Sequence, residues 1–321
     1  WIGIANGDAT NAEWYSVAVQ PGNAEVVLIA DEHQGVIFSS TNGGNYFAEV
    51  LRHPDTDASD PNKRQGFKTI AFSLSNPNVV YAALAKDRLT FLESSPVGTV
   101  IYKSTDSGET FSSLVSIIDG HNVNELVVAA EDSNRIYAAT SNGVYKSTDG
   151  ALNWTHLSTL GNRHIEALVI DPAQPDHLIA GELFGGIWIS QDDGESWTGP
   201  HTDGFNSSNP YISTLAADPL NAGIVFAGDL YSGTYRSLDS GYTWSPFPDI
   251  QMTGLAIRAV KDMDINATAI FVATQGGGVF RYWLADLLPD PLSGDFDSIN
   301  LGSSANQNFT VTNTGDVDLL L

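Results

Sequence analysis

The chain has no cysteine among its 321 residues and only 2 methionines. The missing thiols exclude disulfides, thiolate metal centres and c-type haem attachment within this sequence. Basic residues are scarce too: 14 Lys and Arg stand against 38 Asp and Glu, a formal net charge of −24. A surface of that sign repels nucleic acid and anionic lipid, stays soluble at high ionic strength, and favours cations or basic partners. No run of about 18 apolar residues occurs, so no helical membrane span is expected. The chain opens at Trp1 without Met, which reads as a leader removed or left out and points to an exported bacterial or archaeal protein, extracellular or at the cell surface.

What is present, five times over, is the octapeptide Ser-x-Asp-x-Gly-x-x-aromatic. The copies run from Ser40 to Phe47, Ser104 to Phe111, Ser147 to Trp154, Ser190 to Trp197 and Ser237 to Trp244. Their third positions are Asn42, Asp106, Asp149, Asp192 and Asp239, and their fifth are Gly44, Gly108, Ala151, Gly194 and Gly241. In such a turn the hydroxyl and carboxylate accept backbone N–H bonds, while glycine takes the left-handed conformation. The role is structural, and Ala151 predicts a slightly altered third turn. The copies start 64, 43, 43 and 47 residues apart, and a period of roughly 40 to 45 residues is that of a four-stranded propeller blade.

This pattern resembles the Asp-box, or BNR, repeat of sialidases, sortilin-type receptors, xyloglucan-cleaving endoglucanases and photosystem assembly factors. The resemblance spans roughly residues 14 to 283. It includes Ile165-Glu-Ala-Leu-Val-Ile-Asp171 followed by Gly186-Ile-Trp-Ile-Ser190, as in xyloglucanase-type repeats. It implies an all-β, six-bladed β-propeller, with seven blades as the alternative. Function does not follow from it, since the relatives include enzymes, receptors and scaffolds.

Each unit reads as four short strands, a to d, bounded by Pro, Gly, Asn and Asp. In the fourth unit these are His164–Ile170, His177–Gly181, Gly186–Ser190 and Ser196–Thr198. The a strands begin near Trp14, Phe67, Asn124, Ile165, Ile212 and Leu255. The last unit, with Ala269–Thr274 and Gly278–Trp283, has no d strand of its own, and Trp1-Ile-Gly-Ile-Ala5 reads as the strand that completes it. The propeller is thus expected over residues 1–284. A Pro-rich linker at 285–293 leads to residues 294–321, where Phe309-Thr-Val-Thr-Asn-Thr-Gly315 resembles the first strands of a bacterial immunoglobulin-like module. That arm is far shorter than the roughly 100 residues of a whole sandwich. It is either part of a cut domain or a strand donor to another subunit.

In a propeller the c–d turns lie on one face and the b–c and d–a loops on the other, where ligands mostly bind. The long insertions Arg52–Gly66, Lys86–Gly98 and Gly199–Pro210 belong to that second face. Candidate ligand-binding residues around its channel mouth are Asp31, Glu32, His33, Arg88, Glu182, Phe184, Asp229, Tyr231 and Gln275. Acidic groups beside aromatics suit a sugar, a cationic peptide or a metal ion. Loop solvation is the plain alternative.

Sialidase chemistry needs three converging arginines. Of the candidates Arg236, Arg258 and Arg281, the first and last fall on c strands, and the Arg-Ile-Pro signature is missing. Xyloglucanases cleave between two propellers, and one is present here. Calcium is the single cofactor left open, with Asp55, Asp57 and Asp60 as the favoured ligands; Asp262, Asp264 and Asn266 match an EF-type loop weakly. The sequence therefore favours a non-enzymatic extracellular module that binds protein subunits or cell-surface glycan, with homo-oligomers through residues 294–321. The alternative is a glycoside hydrolase using carboxylates at the mouth.

Overall fold

The computed structural model describes residues 14–31, 34–54, 56, 65–86, 99–114, 121–247, 260–265, 269–274 and 278–283. Apart from one 3-10 turn at Ser158–Leu160, the regular elements here are strands, arranged as six antiparallel sheets in chain order. The first comprises β1 (Trp14–Gln20), β2 (Asn23–Asp31), β3 (Val36–Ser40) and β4 (Ala48–Arg52). The second holds β5 (Gln65–Phe72), β6 (Val80–Lys86), β7 (Ile101–Ser104) and β8 (Ser112–Leu114). The third is β9 (Val123–Val128), β10 (Ile136–Thr140), β11 (Gly143–Ser147) and β12 (Thr155–His156). The fourth contains β13 (Ile165–Asp171), β14 (Gln174–Glu182), β15 (Gly186–Ser190) and β16 (Thr198–His201). The fifth runs β17 (Ile212–Ala217), β18 (Val225–Asp229), β19 (Gly233–Ser237) and β20 (Ser245–Pro246), and the sixth β21 (Val260–Ile265), β22 (Ala269–Thr274) and β23 (Gly278–Trp283).

The first strands of successive sheets, β1, β5, β9, β13, β17 and β21, pack on one another and form the inner wall. Alternation along each strand turns one set of side chains toward the preceding sheet and the other toward the next. Five apolar layers result, one at each junction from first sheet to sixth. Phe67 and Leu28 fill the first, Tyr81 and Ile136 the second, Tyr137 and Leu168 the third, Ile179 and Tyr235 the fourth, Phe226 and Met263 the fifth. On the free side of the first sheet, Val17 and Val19 of β1 stay exposed, at 60% and 49%.

The octapeptides form the turns between third and fourth strands, and their bonding is the same in all five. The buried serine hydroxyl donates to the third-position side chain, Ser190 Oγ to Asp192 Oδ1 at 2.9 Å, and accepts the fifth-position N–H, Gly194 N to Ser190 Oγ at 2.8 Å. The carboxylate then accepts the N–H of Ser196 at 2.8 Å, and the hydroxyl bond from Ser196 holds Asp192 below the ordinary carboxylate range. Two successive residues in each turn take positive φ, which is why the second is so often glycine. The third turn is not altered as expected: Ala151 adopts φ 71° and its N–H still bonds Ser147 Oγ at 3.0 Å. The ring that follows packs inward; Trp244 donates Nε1–H to Gly241 O at 2.9 Å and is buried.

Replacing Ser190 by Ala leaves two turn N–H groups, those of Asp192 and buried Gly194, short of their acceptor. A loss of about 1–3 kcal/mol in unfolding free energy is expected, read from the urea midpoint; an unchanged midpoint would make the hydroxyl dispensable.

Some details differ from the sequence reading. The fourth strand of the fourth sheet is Thr198–His201, one turn later than expected, because the octapeptide turn itself consumes Ser196 and Trp197. The last inner strand is described over Val260–Ile265, and its expected start near Leu255 lies outside the described residues. Asp262 and Asp264 lie within it, so their spacing is the period-two alternation of a strand around buried Met263, not a calcium loop.

Candidate functional site

Every inner strand carries the same irregularity near its start. The pairing of first and second strands skips one residue in each sheet: Tyr15, Lys68, Asn124, Glu166, Ser213 and Lys261. A bulge re-aims the extra side chain and leaves its backbone outside the ladder. Five of these six residues are polar, and those of the second, third and fourth sheets join directly. Lys68 Nζ donates to Asn124 Oδ1 at 2.7 Å and to Glu166 Oε2 at 2.9 Å, and Asn124 Nδ2 donates to Ile165 O at 2.7 Å. Glu166 is 4% exposed. Burial alone would raise its pKa, but the Lys68 charge and contact with His164 at 3.1 Å hold it well below the usual carboxylate range.

Deeper along the same wall the balance reverses. Burial pushes Glu125 up to about 8, with Leu168 N–H, bonded at 2.7 Å, opposing the shift.

At the same end lie the turns joining second to third strands. In the fourth and fifth sheets they read Glu182-Leu-Phe184-Gly-Gly186 and Asp229-Leu-Tyr231-Ser-Gly233. They are equivalent by bonding as well: Leu183 N donates to His164 O at 2.9 Å and Leu230 N to Tyr211 O at 3.0 Å. Phe184 and Tyr231 therefore occupy matching positions on neighbouring blades. Their rings are parallel to within 9° at 6.2 Å, and Tyr211 tilts against both at 5.1 and 5.9 Å. Phe184 is held at φ 59°, unfavourable for an aromatic residue, and is 53% exposed; Tyr231 is 60% exposed.

Beside this cluster, the Arg163 guanidinium stacks 3.8 Å above the Trp188 ring and pairs with Glu182 at 3.1 Å. Glu182 also accepts Trp188 Nε1–H at 2.8 Å. A Cβ at position 185 would meet the Glu182 side chain, so a larger residue there would displace the carboxylate from Arg163 and Trp188.

Of the residues picked from sequence, Phe184, Tyr231 and Glu182 come together. Asp31 and Asp229 do not present carboxylates to a ligand: each is 1% exposed and caps its own turn, Asp31 through Gln34 N at 2.5 Å and Asp229 through Tyr231 N at 2.8 Å. Glu32, His33, Arg88 and Gln275, and the calcium candidates Asp55, Asp57 and Asp60, lie outside the described residues. Sequence reasoning missed Tyr211, Trp188, Arg163 and the Lys68–Asn124–Glu166 chain. The available signal was a polar residue standing second in four of the inner strands, Asn124, Glu166, Ser213 and Lys261.

No protein-family model and no curated protein matches the sequence. Solved structures match in fold. A GH74 enzyme of Niastella koreensis aligns over 84% of this chain and 44% of its own, at 18% identity and a TM-score of 0.61. The GH74 xyloglucanase of Xanthomonas campestris aligns over the same shares, at 16% identity and 0.62. YCF48 from Cyanidioschyzon merolae aligns over 89% of this chain and 98% of its own, at 14% identity and 0.52. At such identities the likeness fixes the fold alone, and the chain spans less than half the length of the GH74 structures it matches. Together with the sheet architecture it makes the protein a β-propeller. Among the described residues no helix is long and apolar enough to cross a membrane.

Proposed function

We propose that the propeller is a binding or assembly module, extracellular or at the cell surface, that takes protein or glycan at its channel mouth. The observation carrying this reading is the exposed Phe184–Tyr231 pair set among carboxylates that the protein itself already engages. Glu166 is held by Lys68, Glu182 by Arg163 and Trp188, and Asp229 by the backbone of its turn. Rings offer area for recognition. Hydrolysis of a glycosidic bond calls for one carboxyl free to donate a proton and another free to act as base or nucleophile. The test pairs a reducing-end assay on xyloglucan with arrays of β-glucans and peptides. No sugar release is expected, with array binding lost on Phe184→Ala or Tyr231→Ala. Sugar release abolished by Glu166→Gln would establish an enzyme instead.

The same proposal includes a six-bladed ring closed by residues 1–5 as the fourth strand beside β23. The spacing supports it: eight residues separate that segment from β1, as eight separate β8 from β9 and β12 from β13. Calcium at Asp55, Asp57 and Asp60, the linker at 285–293, and strand donation by an immunoglobulin-like arm at 294–321 belong to this reading as further proposals.

A further inference from the structure

We infer that the Phe184–Tyr211–Tyr231 cluster docks a cationic side chain, Arg or Lys, presented by a basic segment of a protein partner. This rests on the binding-module reading and names the chemistry of its ligand. Two of the rings are more than half exposed, and aromatic faces carry the negative end of a quadrupole that attracts ammonium and guanidinium groups. The chain as a whole carries −24, so its long-range field draws cations and turns anions away.

The mouth already holds one such ligand of its own. On the fourth blade the Arg163 guanidinium lies flat on Trp188 with Glu182 on its fork. The bonding equivalence of Leu183 and Leu230 aligns Arg163 with Pro210 on the fifth blade. At that position the fifth blade has no cationic side chain of its own. Two basic groups of this wall are already matched by carboxylates, Arg163 by Glu182 and Lys68 by Glu166.

The test uses pentapeptides of one backbone whose central residue is Arg, Lys, citrulline or Ala, titrated calorimetrically into the full chain at about 20 and 150 mM salt. Arg and Lys peptides are expected to bind at least about tenfold tighter than citrulline or Ala peptides, with affinity falling as salt rises. Phe184→Ala and Tyr231→Ala should each weaken the Arg peptide by about tenfold, while Phe184→Tyr and Tyr231→Phe retain it, which separates a lost ring face from a damaged turn. Equal affinity for the Arg and citrulline peptides overturns the inference. So does an Arg peptide that binds both Ala variants as it binds the parent, which would make it a ligand of the acidic surface at large. If β-glucan oligosaccharides bind at these rings and the basic peptides do not, the inference falls and the binding-module reading stands. If neither class binds, both fall.

Discussion

Deletion of residues 1–13 is expected to lower the melting temperature by ~10 °C or more and to broaden the transition. On the proposed closure the outer edge of β23 loses its strand partner and keeps a row of unpaired N–H and C=O groups, a liability in water and a template for aggregation. A net stability of roughly 5–15 kcal/mol leaves little room for opening the ring. The measurement is calorimetry of the truncated and full chains, with self-association followed by light scattering. A truncated chain that melts within a degree or two of the parent would sink the six-bladed closure and turn attention to a seventh blade.

The second large effect is a pH dependence set by Glu125. Burial raises its folded pKa to about 8 from an ordinary value of 4.5. The folded state therefore keeps a proton that the unfolded chain gives up across that interval. Its contribution is fully present below pH 4.5, declines between pH 4.5 and 8, and is gone above it. Glu125→Gln retains an oxygen to accept Leu168 N–H and has no proton to lose. The variant should match the parent near pH 5 and exceed it at pH 9 by on the order of 2 kcal/mol, measured by urea unfolding. Glu166 works in the opposite sense: with its folded pKa depressed, its contribution is present above the unfolded value and is lost as the pH falls. Parallel stability curves for parent and Glu125→Gln between pH 5 and 9 would show that the carboxyl ionises freely in the folded protein.

The turns were legible because they demand particular atoms at fixed offsets: a hydroxyl, a carboxylate two residues on, and a residue tolerant of positive φ. Ser190 ends β15, and the predicted Gly186–Ser190 matched to the residue. The bulges were not legible, since one extra residue leaves the apolar pattern on both sides intact and only shifts the register by one. That is why Lys68 and Glu166, almost a hundred positions apart, could not be joined from sequence. Phe184 and Tyr231 were visible as aromatics beside acids, yet Asp229 was given the wrong part. An acid ending a strand before a tight turn is drawn to the turn's own N–H groups.

The Lys68–Glu166 contact has a consequence for how the blades hold together. Lys68 is on β5 and Glu166 on β13, with β9 between them, so the ion pair reaches past the intervening strand, whose Asn124 bonds to both neighbours. Three successive blades are thereby fastened to one another by side chains as well as by their apolar layers.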